Sequence, residues 1–238
     1  MSHNTAIFAA ACLSLSLITA PALADDSSNK VLTVYTYDSF VSDWGMGPLI
    51  KPTFEQQCAC TLNLVGMDDA VAMLQRLKLE GASSPADLVL GLDLNLVDDA
   101  KKSGLFTSHS VDTNSLEMPI AWQDDTFVPF DYGYFAFVYN TELMPNPPKS
   151  LDELVNAGPE LKIIIQDPRS STPGLGLLLW MKSVYGDQAD AAWAKLSDNI
   201  LTTTKGWSEA YFSLFLAGEA PMVLSYSTSP AYHMEIEG

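Results

Sequence analysis

The side chains able to do chemistry in this sequence are mainly aspartates, tyrosines and short Ser/Thr turns. Aspartates come in adjacent pairs at 68–69, 98–99 and 124–125. Such pairs cap helices and face solvent more often than they form acid–base dyads. The histidines, His3, His109 and His233, show no ligand spacing, and no Ser-His-Asp or Cys-His set assembles. Gly174 and Gly176 follow Pro173 but fit neither phosphate-loop fingerprint, because the lysine of one and the third glycine of the other are missing. No catalytic residue, metal-ligand set or cofactor is expected.

What these residues can build is a binding site. The stretch Gln-Asp-Pro-Arg-Ser-Ser-Thr-Pro-Gly-Leu-Gly-Leu-Leu-Leu-Trp (166–180) follows a largely apolar run, Leu161 to Ile165. Ser171 or Thr172 suits an N-cap and Pro173 the first helical position. A strand that turns through Ser and Thr into a helix N-terminus presents free N–H groups to a polar or anionic group. In open α/β sheets, ligands lie beyond the C-terminal ends of the strands. Those predicted ends carry Tyr37-Asp38, Asp68-Asp69, Asp93, Asp167 to Thr172 and Tyr226 to Ser229, and Trp207 follows another strand. Aromatic faces beside carboxylates suit a flat cation, at about 0.5–2 kcal/mol per cation–π contact.

The elements that must position them alternate in type. Strands are predicted at 31–37, 61–67, 86–93, 161–165, 201–204 and 222–226. Helices are predicted from Pro48 past Phe54, from the Asp68-Asp69 cap to Gly81, and over 96–102. Further helices are expected after the capping box Ser150-Leu151-Asp152-Glu153, from residue 172 to Tyr185, over 189–196, from Ser208 to Gly218, and from Ser229-Pro230. This is an α/β pattern with right-handed crossovers expected. The aromatic-dense segment 125–140 is long for one strand, and Pro129 and Gly133 should bend it, so it suits a crossing from one lobe to another.

With 12 basic and 29 acidic side chains the formal net charge is −17, which argues against nucleic acid and anionic membrane surfaces. The start reads as an export signal: Ala6 to Ile18 is apolar apart from Ser14 and Ser16, and Ala22-Leu23-Ala24 offers a cleavage site before Asp25. The region before it, Met1 to Thr5, carries no Lys or Arg. Beyond the signal, Cys58 and Cys60 could bridge, although two residues of separation strains the usual geometry. A structural or redox-inert pair is expected.

Several runs closely resemble the periplasmic thiamine-binding proteins of bacterial ABC importers. They are Tyr-Thr-Tyr-Asp-Ser-Phe (35–40), Ala-Asp-Leu-Val-Leu-Gly-Leu-Asp (86–93), the aromatic segment 125–139, the 166–180 stretch, Thr-Lys-Gly-Trp-Ser-Glu-Ala-Tyr (204–211) and Ser-Tyr-Ser-Thr-Ser-Pro-Ala-Tyr-His (225–233). The resemblance runs from about Val31 to His233. It implies a two-lobed type II periplasmic-binding-protein-like α/β fold, with a signal peptide over 1–24, lobe 1 over 25–128 and lobe 2 with its crossover segment over 129–238. It also implies capture of thiamine, with its mono- and diphosphate, by a periplasmic monomer that delivers it to an inner-membrane ABC permease.

Carried over by position, Asp69 and Ala70 would meet the ligand from lobe 1, and Ser171 and Thr172 would face its hydroxyl or phosphate end. Trp207, Tyr226, Ser227, Thr228 and Ser229 would line the rest, with Tyr37 and Tyr232 as further aromatic candidates. The family usually has Gly where this chain has Ala70, and its chains are longer, so a C-terminally truncated lobe 1 is expected here. The alternatives are a thiamine-cleaving transferase on the same scaffold, using a cysteine nucleophile, and a binder of another cation such as a polyamine or ferric ion. Cys58 and Cys60 precede the second strand, away from the expected cleft, which argues against the transferase.

Overall fold

The computed structural model describes residues 30–236, so the expected signal segment lies outside the described residues. Two sheets organise the chain. The first is parallel, in the order β2-β1-β3, from β1 (Val31–Tyr37), β2 (Thr61–Met67) and β3 (Leu88–Val89). The second has the order β4-β7-β5-β6, from β4 (Phe135–Tyr139), β5 (Ile163–Gln166), β6 (Ile200–Thr204) and β7 (Met222–Tyr226). Here β4 runs antiparallel to β7, while β5 is parallel to both β6 and β7.

In the first lobe, α1 (Asp38–Val41), α2 (Met46–Cys58), α3 (Ala70–Glu80) and α4 (Val97–Lys102) connect or follow the strands. Its core joins Tyr35 of β1 to Val71, Met73, Leu74 and Leu77 on one face of α3 and to Ala100 of α4. In the second lobe, α5 (Leu151–Val155), α6 (Thr172–Tyr185) and α7 (Ala189–Leu196) cover one face of the sheet, with Ile163, Leu177, Met181, Leu196 and Leu224 at its centre. The other face packs Ile164 and Val223 against Tyr211 and Phe215. The chain ends its described course in α8 (Ser229–Ile236). Leu175 of α6 packs on the first lobe's core, so the start of that helix belongs to the junction between lobes.

Several predicted elements change in the structure for identifiable reasons. The third strand shrinks from the expected 86–93 to Leu88–Val89, because Gly91 takes φ +109 and leaves the ladder. The aromatic segment becomes a strand only from Phe135, after Pro129 and Gly133 have bent it. Helix α2 starts at Met46 rather than Pro48 and carries Pro52 within it. Ser208 makes no capping hydrogen bond, and the segment after it, Glu209–Phe215, winds as a π-helix. The Ser150 cap forms as expected, with its Oγ accepting from Glu153 N at 3.1 Å. Cys58 and Cys60 are bridged, with Cα atoms 5.2 Å apart. Ala59 between them takes the left-handed conformation, φ 50°, which closes so short a span.

Candidate functional site

The C-terminal ends of both sheets open onto one cleft of about 1260 Å³. Tyr37, Asp69, Thr172, Trp207, Tyr226, Thr228, Ser229 and Tyr232 line it, so most of the predicted site residues are brought together. Ala70 and Ser171 stand behind this lining, fully buried, whereas Ser227 is exposed and does not line it, its N donating to Tyr134 O at 2.9 Å.

Asp69 sits where the lobes meet. It is the N-cap of α3, and its Oδ1 accepts from Ala70 N at 2.8 Å. Its carboxylate also accepts from Ser171 Oγ and Thr172 Oγ1 at 2.8 Å each, from the far side of the cleft. The hydroxyls at the start of α6 are therefore engaged by a carboxylate of the opposite lobe. Burial pushes the Asp69 carboxyl above its usual range, and these hydrogen bonds offset the rise only in part.

Aromatic rings form the second lobe's wall. Trp207 stacks on Tyr211 with ring centroids 5.1 Å apart and lies edge-on to Tyr226 at 6.2 Å. Its Nε1 donates to Ser225 Oγ at 2.7 Å, and Ser225 in turn shares a hydrogen bond with Ser229 at 2.8 Å. The indole is thus held in one orientation by a hydroxyl pair as well as by its neighbours. Tyr232 meets Trp44 of the first lobe at 5.9 Å.

The electrostatics are one-sided. Asp38, Asp93 and Asp131 also line the cleft, and burial raises the pKa of each. Tyr37 is pushed up to about 12, by burial first and then by Asp131 and Asp69. Tyr226 lies well above the usual phenol range, again through burial and then through Asp69 and Asp93. Among the described residues no lysine or arginine lines this cleft. A surface of raised carboxyls, protonated phenols and ring faces suits an aromatic cation, which supplies the positive charge the walls lack.

Asp131, Trp44 and the exposed row Phe130, Tyr132 and Tyr134 are cleft residues that the sequence reading missed. The row was legible: every second residue of an extended segment shares a face, and these three are all aromatic. Nothing in the sequence marks Trp44, which reaches the cleft only through the turn before α2.

The pattern of a bacterial extracellular solute-binding protein matches residues 50–234. The chain belongs to that family. It is 58% identical over 226 residues to the thiamine-binding periplasmic protein of Brucella abortus, covering 94% of this chain and 67% of that protein. The identity is also 58%, over 224 residues, with the thiamine-binding periplasmic protein of Escherichia coli K12, with the same coverage. A solved periplasmic thiamin binding protein superposes with a TM-score of 0.85 at 58% identity, covering 88% of this chain and 65% of that one. The fold is accordingly that of a two-lobed periplasmic binding protein. The chain spans about two thirds of the length of these relatives.

Proposed function

We propose that this protein captures thiamine, together with its mono- and diphosphate, between its lobes and hands it to an ABC permease of the inner membrane. It acts as a monomeric carrier in the periplasm, without catalysis, after removal of residues 1–24. The lobes divide at about residue 128. The observation that carries this reading is the cleft itself: aromatic rings and carboxylates with no lysine or arginine among its described residues. Relatives 58% identical that are named thiamine-binding periplasmic proteins support it.

In this reading the thiazolium and aminopyrimidine rings lie among Tyr37, Trp207, Tyr226 and Tyr232. Asp69 is the first lobe's charged contact, with Ala70 and Ser171 behind it to fix its direction. Thr172 and the turn Ser227, Thr228 and Ser229 take the hydroxyl or phosphate end. Calorimetric titration with thiamine, its phosphates, spermidine and ferric citrate tests the assignment. Tight binding of thiamine alone or with its phosphates is expected, and preference for spermidine or iron would overturn it. Incubation with thiamine and an amine acceptor tests the absence of catalysis, because any base exchange would make the protein a transferase. Such an activity would need a nucleophile other than the cysteines, which are bridged to each other and do not line the cleft.

A further inference from the structure

The turn between β6 and the π-helical segment, Lys205 to Ser208, touches the first lobe more closely than its exposure suggests. Its own lobe fixes it first: Thr204 Oγ1 donates to Gly206 O at 2.8 Å, and Ser170 Oγ donates to Lys205 O at 2.6 Å. Gly206 then lies against the Asp68 peptide, where a Cβ would stand 2.6 Å from the Asp68 carbonyl oxygen. A side chain cannot be accommodated there without moving one lobe from the other, since the obstacle is backbone. Two residues on, Ser208 Oγ donates to Asp38 Oδ1 at 2.9 Å, so its hydroxyl reaches across the junction instead of capping the helix it precedes.

Neither Gly206 nor Ser208 lines the cleft, yet the residues they touch, Asp68 and Asp38, do, as does Trp207 between them. A second seam runs alongside, where Ala72 N donates to Ser170 O at 3.0 Å beside the Asp69 hydrogen bonds. Ser170 therefore ties this seam to the turn.

We infer that the Lys205–Ser208 turn is a latch that, beside the Asp69 seam, holds the lobes together. Gly206 sets how closely they approach, Ser208 fastens them, and both fix where Trp207 stands in the cleft wall it shares with Asp38 and Asp68. They are positioning residues rather than ligand contacts, and the inference rests on the cleft being the ligand site. Gly206→Ala forces the seam apart, so the cleft closes incompletely and ligand leaves faster. Ser208→Ala removes the fastening without adding bulk, and Ser208→Thr restores the hydroxyl.

Small-angle scattering of the ligand-free protein and stopped-flow dissociation of thiamine test this together. Gly206→Ala and Ser208→Ala should each raise the radius of gyration and speed dissociation, by about tenfold or more for the glycine, the scale of one lost close contact. Ser208→Thr should return both quantities toward wild type. Unchanged scattering and unchanged dissociation in Ser208→Ala and in a folded Gly206→Ala would overturn the latch. Should Gly206→Ala not fold, Ser208→Ala and its threonine rescue decide alone. Should the wild type bind no thiamine, the functional reading fails while the scattering still decides whether the turn holds the lobes.

Discussion

Replacing Asp69 by Asn separates what the carboxylate does for the fold from what it does for the ligand. Asn has the same shape and keeps one acceptor oxygen. If that oxygen stays where Oδ1 is, it still accepts from Ala70 N and Thr172 Oγ1. The amide NH₂ then faces Ser171 Oγ, which turns from donor to acceptor. The Thr172 backbone N–H also donates to this carboxylate, so the retained oxygen must serve it as well, and the charge is the main loss. Charge-assisted hydrogen bonds exceed neutral ones by about 1 kcal/mol each, which favours Asp. Burial of the charge opposes this, and the raised pKa shows that burial wins.

The sign follows from that shift. Between the unfolded and folded pKa values the folded state holds more protons, so stability falls as pH rises through this window. Asp69→Asn escapes that loss, and it should unfold at a higher temperature than wild type at neutral pH. The gap should close on acidification into the ordinary carboxylate range. Each tenfold change in the proton equilibrium is worth about 1.4 kcal/mol, and each kcal/mol moves the melting temperature of a chain this size by about 2–4 °C. Binding should move the other way. A unit charge about 4 Å from a cation, at an effective dielectric near 20, is worth about 4 kcal/mol before desolvation. A net loss of roughly 1.5–3 kcal/mol, or about 10- to 150-fold in thiamine affinity, is therefore expected. Thermal melts across pH and calorimetric titration measure both arms. A variant that melts lower at neutral pH, or binds thiamine as wild type does, would refute the reasoning.

Trp207→Ala should weaken thiamine binding by about 1–2 kcal/mol through lost ring contact and abolish most ligand-induced fluorescence quenching; unchanged affinity would remove Trp207 from the site. Spectrophotometric titration should show Tyr37 ionising at about 12 and Tyr226 well above the usual phenol range. Replacing Tyr37 with Phe should leave the tyrosinate signal below that pH unchanged. Reduction of the Cys58–Cys60 bridge closes so small a loop that it should cost only about 1–2 kcal/mol in a denaturant melt. Leu177→Ala, at a fully buried position of the second lobe's core, should cost about 2–5 kcal/mol, measured by denaturant unfolding with thiamine absent.

The ends of β1 and β2 were legible because their apolar alternation stops at polar residues that cannot continue a buried ladder. Asp69 as an N-cap followed from the same local rule. What Asp69 does across the cleft did not, since Ser171 and Thr172 are 102 and 103 residues away along the chain. Ser208 shows the opposite failure. Its type and place suit a cap, but a carboxylate from the other lobe takes its hydroxyl, and the helix after it winds wider. The short third strand was hidden for a third reason: 86–93 has the composition of a strand, and the positive φ of Gly91 becomes evident only beside the Tyr37 ring, which a Cβ there would meet at 2.4 Å. Local chemistry was thus readable wherever local partners decide it, and unreadable wherever the other lobe does.

The distribution of charge explains why the cleft needs a ligand more than the rest of the surface does. With 12 basic side chains against 29 acidic ones, not every carboxylate can have a partner. The cations that form ion pairs do so on outer faces, as in Lys51–Glu55, Arg76–Glu80, Lys78–Asp99, Lys101–Asp124 and Arg169–Asp167. Pairing so exposed contributes little to stability, whereas an unpaired carboxylate in a half-enclosed cleft costs more. Asp38, Asp93 and Asp131 carry that cost, seen as their raised pKa values. A cation bound beside them would offset that cost by supplying the opposite charge, which converts it into affinity. Filling the cleft with a neutral ring of the same size would bring the stacking but leave those carboxyls as they were. Oxythiamine, which keeps the thiazolium, should therefore lose far less affinity than an uncharged thiazole analogue.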